Sequence, residues 1–224
     1  MDEMQTHNRV ILCGTPLSSP VFSHASRLEP FYTFPLEVAR LSGTVDTINV
    51  LLREELLPDL KPSRAGLIRI AGEVRSFNNH SGEGSKLVIS VFARELSPPE
   101  TPVWVNEVEL TGTLCKSPNR RTTPMGREIC DLMLAVNRLY GRSDYLPCIV
   151  WGQNARRAAL WDVGTRVHLL GRIQSREYIK ISTGRQCAGR RTKFPFRISR
   201  RSRRNEKSIR REISPDAFSY EITC

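Results

Sequence analysis

An internal repeat at a shift of 98 residues constrains this chain more than any other feature. Identical residues recur in order, without a gap, at Asn8/Asn106, Val10/Val108, Leu12/Leu110, Gly14/Gly112, Leu36/Leu134, Val38/Val136, Arg40/Arg138, Asp46/Asp144 and Gly66/Gly164. So long a repeat indicates two copies of one domain rather than a solenoid of short units. We call residues 1–96 copy 1 and residues 104–180 copy 2. Between them, 97–103 is a proline-rich linker, because proline cannot donate to a strand ladder.

Each copy is patterned as short strands with apolar residues at every second position. In copy 2 the predicted elements are strands around Val108–Gly112, Leu132–Val136 and Tyr145–Trp151, a short helix over Ala155–Trp161, and a strand over Arg166–Ile173. Copy 1 supplies a fifth strand at Leu87–Phe92. Three strands, a helix and two strands is the order of an OB fold, a five-stranded Greek-key barrel. We therefore expect an all-β chain with two tandem OB folds.

Copy 2 also resembles a known family, the bacterial single-stranded DNA-binding (SSB) proteins. The motifs that carry the resemblance, in family order and spacing, are Asn106–Thr113, Thr123–Gly126, Leu134–Arg138, Ile149–Gly152 and Gly171–Tyr178. The whole chain is similar to the tandem two-OB members. The resemblance implies sequence-independent binding of single-stranded DNA in replication, repair and recombination. It also implies a homodimer, since family members work with four OB folds.

Two aromatic residues are placed to stack on bases. Alternation along the third strand puts Tyr145 and Trp151 on the face opposite Leu146, Cys148 and Val150, which suit the barrel interior. Bases stack on exposed rings whatever their sequence. In the family, the position of Tyr178 carries a further stacking aromatic. The predicted phosphate-binding residues are Arg120, Arg121, Arg127, Arg138, Arg172 and Arg176.

Copy 1 lacks this set of residues. Under the shift, Thr47 and Arg53 stand at the positions of Tyr145 and Trp151, and roughly Asn79 at that of Tyr178. We therefore expect copy 1 to be mainly a scaffold or assembly domain. Phe34 is predicted to be a core residue because it matches Leu132, whereas the neighbouring Phe31 and Tyr32 are left unassigned.

The positive charge lies mostly at the end of the chain. The formal charge is +11, divided as −1 over residues 1–98, +4 over 99–181 and +8 over 182–224. Residues 181–224 form a basic segment without strand alternation, which we expect to be an irregular tail. One interpretation is a shifted reading frame near Ile181, which would leave the second barrel without its last strand and which the coding DNA would decide. The other is a basic arm that binds phosphate.

Several function classes find no support in the sequence. Cysteines and histidines do not cluster as zinc ligands, so we expect no metal and interpret Cys130 and Cys148 as core residues. No catalytic motif occurs, so we expect neither an enzyme nor a cofactor or small-molecule substrate. There is no apolar run of membrane-spanning length and no secretory pattern, so we expect a cytoplasmic, nucleoid-associated protein. The alternatives are an interaction-only OB protein, such as a replication-restart accessory factor, and an RNA-binding OB protein.

Overall fold

The computed structural model describes residues 8–79, 86–138, 141–182, 185–196 and 218–219, with side chains up to Ser175. The strands are β1 (Asn8–Pro16), β2 (Val21–Ser26), β3 (Glu29–Ala39), β4 (Val45–Arg53), β5 (Ile68–Asn78), β6 (Leu87–Ser97), β7 (Val105–Leu114), β8 (Asn119–Thr122), β9 (Glu128–Asn137), β10 (Ser143–Trp151), β11 (Arg166–Gly171), β12 (Gln174–Ser182), β13 (Arg185–Phe196) and β14 (Phe218–Ser219). A 3₁₀ helix covers Glu54–Asp59, and α1 covers Gln153–Ala158.

The chain divides into two compact units. One comprises Arg9–Glu107 with Ile173–Lys193, and the other comprises Met1–Asn8, Val108–Arg172 and Phe194–Cys224. The domain boundaries expected from the sequence, at 97–103 and 180, stay predictions.

Copy 1 closes into a five-stranded barrel. Strand β1 pairs antiparallel with β5 and, at Thr15↔Glu37, with β3. The ring also contains the antiparallel pairs β3–β4 and β5–β6 and the parallel pair β4–β6 at Val50↔Val91. Phe34 is 1% exposed in its interior, so its prediction as a core residue is confirmed.

Copy 2 repeats the same ring together with β13, a strand of the basic segment that follows it. Strand β7 pairs antiparallel with β11 and, at Thr113↔Ala135, with β9, which pairs along its length with β10. Strand β10 pairs in parallel with β13 at Cys148↔Phe194, and β13 meets β11 at Gly171↔Phe196. The predicted all-β fold with two OB barrels is confirmed.

The second barrel has its last strand, which corrects one interpretation of the basic segment. Strand β13 pairs with β12 from Ser182↔Arg185 to Gln174↔Lys193 before its end reaches β10. Ladder hydrogen bonds join backbone groups, so an arginine-rich segment without alternation can still pair when a partner strand lies beside it. The reading-frame hypothesis itself stays a question for the coding DNA.

The helix of copy 2 is shorter than the sequence predicted. It ends at Ala158, after burying Ala155 and Ala158, rather than reaching Trp161. Trp161, the last residue of the predicted helix, is half-buried. The two alanines are small enough to bring the helix backbone close to the barrel.

One repeated glycine lies where each barrel closes. A Cβ at Gly14 would stand 2.3 Å from the carbonyl oxygen of Glu37, and one at Gly112 would stand 2.7 Å from that of Ala135. Both oxygens belong to the strand across the closing pair, so their positions are set by the ladder itself. Only a residue without a side chain permits this approach.

We expect Gly112→Ala to lower the free energy of unfolding by about 1–3 kcal/mol, because the backbone at Ala135 must move to admit the methyl group. Urea unfolding measures the change. The exposed neighbour Thr113 provides the control, since Thr113→Ala should stay within about 0.5 kcal/mol of the parent. Equal stability of the two variants would contradict the account of closure.

Candidate nucleic-acid interface

The outer face of β10 carries the two aromatic residues that the sequence singled out. Leu146, Cys148 and Val150 are at most 1% exposed, which confirms their interior assignment. The alternate residues point outward: Tyr145 is 51% exposed and Trp151 is half-buried. Between them, Ile149 is 9% exposed. The result is an outward strip of mainly apolar character that begins and ends with an aromatic ring.

Strand register decides which arginines share this face. Trp151 pairs with Ile129 on β9, and Ile129 pairs with Arg121 on β8. Directly paired residues of antiparallel strands point to the same side of a sheet. Arg121 therefore lies on the same side as Trp151. Arg120, the next residue along β8, points to the opposite side.

Arg121 is held by an acidic neighbour on the same face. Its Nε lies 2.5 Å from Oδ2 of Asp131, and its Nη2 lies 3.3 Å from Oδ1. Hydrogen bonding to Asp131 raises the pKa of Arg121. A guanidinium has five N–H donors, so this pair leaves donors for a phosphate oxygen while holding the side chain in place.

Arg120 takes part in a different cluster. It donates to Glu128, and the Nε of Arg156 lies 2.5 Å from the other oxygen of the same carboxylate. These hydrogen bonds, Arg120 first and Arg156 second, lower the pKa of Glu128. Two arginines around one carboxylate leave a net positive patch, but it lies on the side of the hairpin away from Tyr145 and Trp151. Arg156 was not singled out by the sequence, because nothing in its spacing indicates that β8 and α1 meet at Glu128.

Arg127 lies next to the turn of the β8–β9 hairpin. The turn is defined by hydrogen bonds from Gly126 N to Thr123 O and from Thr123 N to Arg127 O, both 2.8 Å, and Gly126 has the positive φ that the turn requires. The side chain of Arg127 is exposed, and its guanidinium has no hydrogen-bond or ion-pair partner among the described residues. Among the described residues, Arg127 therefore has no interaction that a phosphate would have to displace.

Arg138 forms an ion pair with a buried carboxylate, and its predicted contact with phosphate stays a prediction. Its Nε lies 2.6 Å from Oδ2 of Asp144, its Nη2 bonds the other oxygen, and the Asp144 side chain is fully buried. Copy 1 has the same arrangement, with Nε of Arg40 2.7 Å from Oδ2 of the fully buried Asp46. The repeated Arg and Asp are therefore explained by a buried ion pair. Arg138 is 25% exposed, so a phosphate could reach only the donors that Asp144 leaves unused.

The remaining predicted residues lie on the connection after β11 and on β12. Arg172 lies between the two strands and is half-buried. The backbones of Arg176 and Tyr178 pair with those of Arg191 and Gly189. Their side chains lie outside the described part of the chain, so their roles stay predictions.

The cysteines behave as core residues. Cys130 and Cys148 are at most 1% exposed, as the sequence predicted. Burial, followed by the charge of Asp131, raises the pKa of Cys130 to about 11, and burial raises the pKa of Cys148 well above its ordinary value. Both thiols are thus held protonated. Within the described ranges, no three His, Cys, Asp or Glu residues are grouped closely enough to hold a metal ion.

Comparisons with known proteins identify the class. The model of the single-strand binding protein family matches residues 105–188. Single-stranded DNA-binding protein B of Bacillus subtilis is 38% identical over 80 residues, which are 33% of this chain and 71% of that protein. Single-stranded DNA-binding protein 2 of Listeria innocua is 37% identical over 81 residues, 33% of this chain and 51% of its own length.

A solved structure extends the similarity to both copies. The wild-type single-stranded DNA binding protein from Thermus aquaticus superposes with a TM-score of 0.63 at 24% identity, covering 88% of this chain and 97% of that one. At that identity the likeness shows the fold. The chain belongs to the single-strand binding protein family, as the resemblance predicted. In the described part of the chain, no helix has the length and apolar character needed to cross a membrane.

We expect Arg138→Ala to lower the free energy of unfolding by about 3 kcal/mol, because it leaves the buried Asp144 carboxylate without its counter-ion. Arg127→Ala is the matched control. Its exposed side chain holds no partner in the described structure, so its removal should change stability by less than about 0.5 kcal/mol. Urea unfolding compares the two. A stable Arg138→Ala protein that binds DNA with a reduced salt dependence would instead make Arg138 a phosphate ligand.

Proposed function

We propose that this protein binds single-stranded DNA without sequence preference, and through it acts in replication, repair and recombination. The observation that carries the proposal is the outer face of β8–β10, where Tyr145, Trp151 and Arg121 lie on one side of a barrel that belongs to the single-strand binding family. Aromatic rings and cations on one open sheet face are what a single strand requires.

The spacing of the rings sets how a strand would lie. Tyr145 and Trp151 are six residues apart on β10, which corresponds to about 20 Å at about 3.3 Å per residue. Neighbouring stacked bases of a strand are about 3.4 Å apart, much less than the distance between the two rings. Different bases of the strand would therefore contact Tyr145 and Trp151. The bound strand would run along β10, with intervening nucleotides over Pro147 and Ile149. Each stack contributes about 1–3 kcal/mol and is insensitive to base identity.

The phosphate contacts are assigned to two arginines of the β8–β9 hairpin. Arg127 is the stronger candidate because its guanidinium has no partner in the described structure. Arg121 would bind through the donors that Asp131 leaves unused. Each phosphate contact adds about 0.7 to the negative slope of log affinity against log salt for a single strand. Arg172, Arg176 and Tyr178 stay proposed contacts beyond this face.

The assembly and setting are proposed on the resemblance. We infer a homodimer that presents four OB folds, acting in the cytoplasm at the nucleoid by binding alone, without turnover of a substrate. Sedimentation equilibrium tests this directly, with a mass of two 25.5 kDa chains expected. A measured mass of one chain would contradict the proposed homodimer. It would not affect the proposed binding face of copy 2.

We expect the parent protein to bind oligo(dT) more tightly than duplex DNA of equal length, since a duplex does not expose base faces. Tyr145→Ala should weaken binding to oligo(dT) about tenfold, the loss of one stack. Fluorescence anisotropy of labelled oligonucleotides measures both, and circular dichroism confirms folding. Leu160→Ala, which removes an 83% exposed apolar side chain beyond α1, is the control.

The same titration separates the alternatives. Equal affinity for oligo(dT) and duplex would overturn the single-strand proposal. Tighter binding to an RNA of the same length would make the protein an RNA-binding member of the fold. If the protein binds only other proteins, Tyr145→Ala should leave its weak affinity for oligo(dT) unchanged.

A further inference from the structure

One strand of the ring is continuous in copy 1 and interrupted in copy 2. In copy 1, β5 is a single strand of 11 residues that pairs with β6 over nearly its whole length. The matching stretch of copy 2 divides into β11, which ends at Gly171, and β12, which begins at Gln174. Among the described residues, β12 pairs with no strand except β13. The hairpin of β12 and β13 is therefore joined to the ring of copy 2 only where β13 reaches β10 and β11.

This hairpin belongs to the compact unit of copy 1. Residues Ile173–Lys193, which contain most of the hairpin, are grouped with Arg9–Glu107. Within that unit β12 lies beside β4, and in the described part of the chain no ladder joins the two strands. Side-chain contacts, rather than strand pairing, therefore hold β12 against copy 1.

Asn106 takes the place of a strand partner at the interruption. Its Nδ2 donates to the carbonyl oxygen of Ile173 at 2.9 Å, and its Oδ1 accepts from the backbone N–H of the same residue at 2.8 Å. A side-chain amide has a donor and an acceptor side by side, so it can satisfy both backbone groups of one residue as a neighbouring strand would. Ile173 is 0% exposed, where unpaired backbone groups would be costly.

Two residues at the start of β4 hold Ser175. Oδ1 of Asp46 accepts a hydrogen bond of 2.7 Å from the backbone N–H of Ser175, and the backbone N–H of Thr47 donates to the Ser175 hydroxyl at 2.9 Å. The Asp46 side chain is fully buried and is itself held by its ion pair with Arg40. Hydrogen bonds to a charged acceptor are the stronger kind, so this contact fixes the backbone at Ser175. We call Asp46, Thr47 and Asn106 the β12 clamp.

The β12 clamp lies directly before two proposed DNA contacts. Arg176 and Tyr178 are one and three residues beyond Ser175 on the same strand, and strand residues are about 3.3 Å apart along the chain. Tyr178 is therefore about 10 Å from a backbone point that copy 1 fixes. A binding residue has to be held to within about 0.5 Å by its supporting contacts, so loss of the clamp should affect both residues.

We propose that the residues of the β12 clamp are positioning residues for DNA binding by copy 2. They fix the start of the β12–β13 hairpin, so that Arg176 and Tyr178 keep the position at which they contact the strand. The inference rests on the proposed function of copy 2 and deepens it. Through Asp46 and Thr47, copy 1 determines the affinity of a binding site whose contacts all lie in copy 2.

The test uses Ser175→Ala in the full chain, which removes the hydroxyl that Thr47 binds and leaves the ion pair of Asp46 intact. Ser175→Thr keeps the hydroxyl and is the rescue variant. Thr33→Val is the matched control, because it removes a half-buried hydroxyl that donates to the carbonyl oxygen of Val50 at 2.9 Å, a bond within copy 1 that β12 does not share. Urea unfolding measures the stability of each variant, and fluorescence anisotropy measures its affinity for oligo(dT).

We expect Ser175→Ala to bind oligo(dT) about fivefold more weakly than the parent, the effect of one lost hydrogen bond when it is passed on to binding. Ser175→Thr should bind within about twofold of the parent. Thr33→Val should bind as the parent does, although it loses a similar hydrogen bond. Asn106→Ala, which removes both bonds to Ile173, is a second variant in which the same weakening is expected.

A double-mutant cycle determines whether the clamp acts through the hairpin. In a background of Arg176→Ala with Tyr178→Ala, Ser175→Ala should cause no further loss of affinity, because the residues that it positions are gone. In a Tyr145→Ala background it should keep its full effect. A general loss of stability would lower the affinity equally in both backgrounds.

Three results would overturn the inference while leaving the proposed function standing. They are parental affinity in both Ser175→Ala and Asn106→Ala, an equal loss of affinity in Thr33→Val, and an undiminished effect of Ser175→Ala when Arg176 and Tyr178 are both alanine. Failure of the parent protein to bind oligo(dT) would instead overturn the proposed function and this inference together.

Discussion

Closure of five strands around a filled interior is the constraint on which the rest of this protein depends. Each ring closes where β1 meets β3 or β7 meets β9, at a glycine whose hydrogen lies against the backbone of the facing strand. Once the ring is closed, every second residue must enter the core. The intervening residues are then left outside, which is why Tyr145 and Trp151 face outward while Leu146 and Val150 fill the barrel.

Comparison of the two copies distinguishes residues that the barrel requires, which are identical in both, from outer residues, which differ. Positions identical in both copies include the closing glycines and the buried pairs Arg40–Asp46 and Arg138–Asp144. In copy 1, Oδ1 of Asp46 also accepts a hydrogen bond of 2.7 Å from the backbone N–H of Ser175 within the same compact unit. The carboxylate therefore organises backbone as well as compensating charge. Outer positions have diverged, as the exchange of Trp151 for Arg53 and of Ile129 for Phe31 illustrates.

Much of the fold could be predicted, because period-two patterning and the repeat both report on the interior. Alternation placed Leu146, Cys148 and Val150 in the core, and the match to Leu132 placed Phe34 there. The side of the hairpin to which Arg120 points could not be predicted from the sequence. It depends on the register that the turn at Gly126 sets between β8 and β9. The strand β13 was missed for a related reason: its pairing is made by backbone groups, which leave no signature in the side chains.

The candidate site was predicted less completely than the fold. Arg138 directly follows β9, and its ion pair with Asp144 depends on the burial of that carboxylate, which the sequence does not mark. The β12 clamp joins residues that are far apart in sequence, so no local pattern marks it.

The most direct measurement of the central claim uses Trp151 as its own probe. With Trp104 and Trp161 replaced by phenylalanine, the remaining indole reports on the outer face of β10. Titration with oligo(dT) should quench its emission in step with binding followed by anisotropy, because a base stacks on the ring, and duplex DNA at the same concentrations should leave the emission nearly unchanged. Binding of oligo(dT) without any change in Trp151 emission would contradict the account.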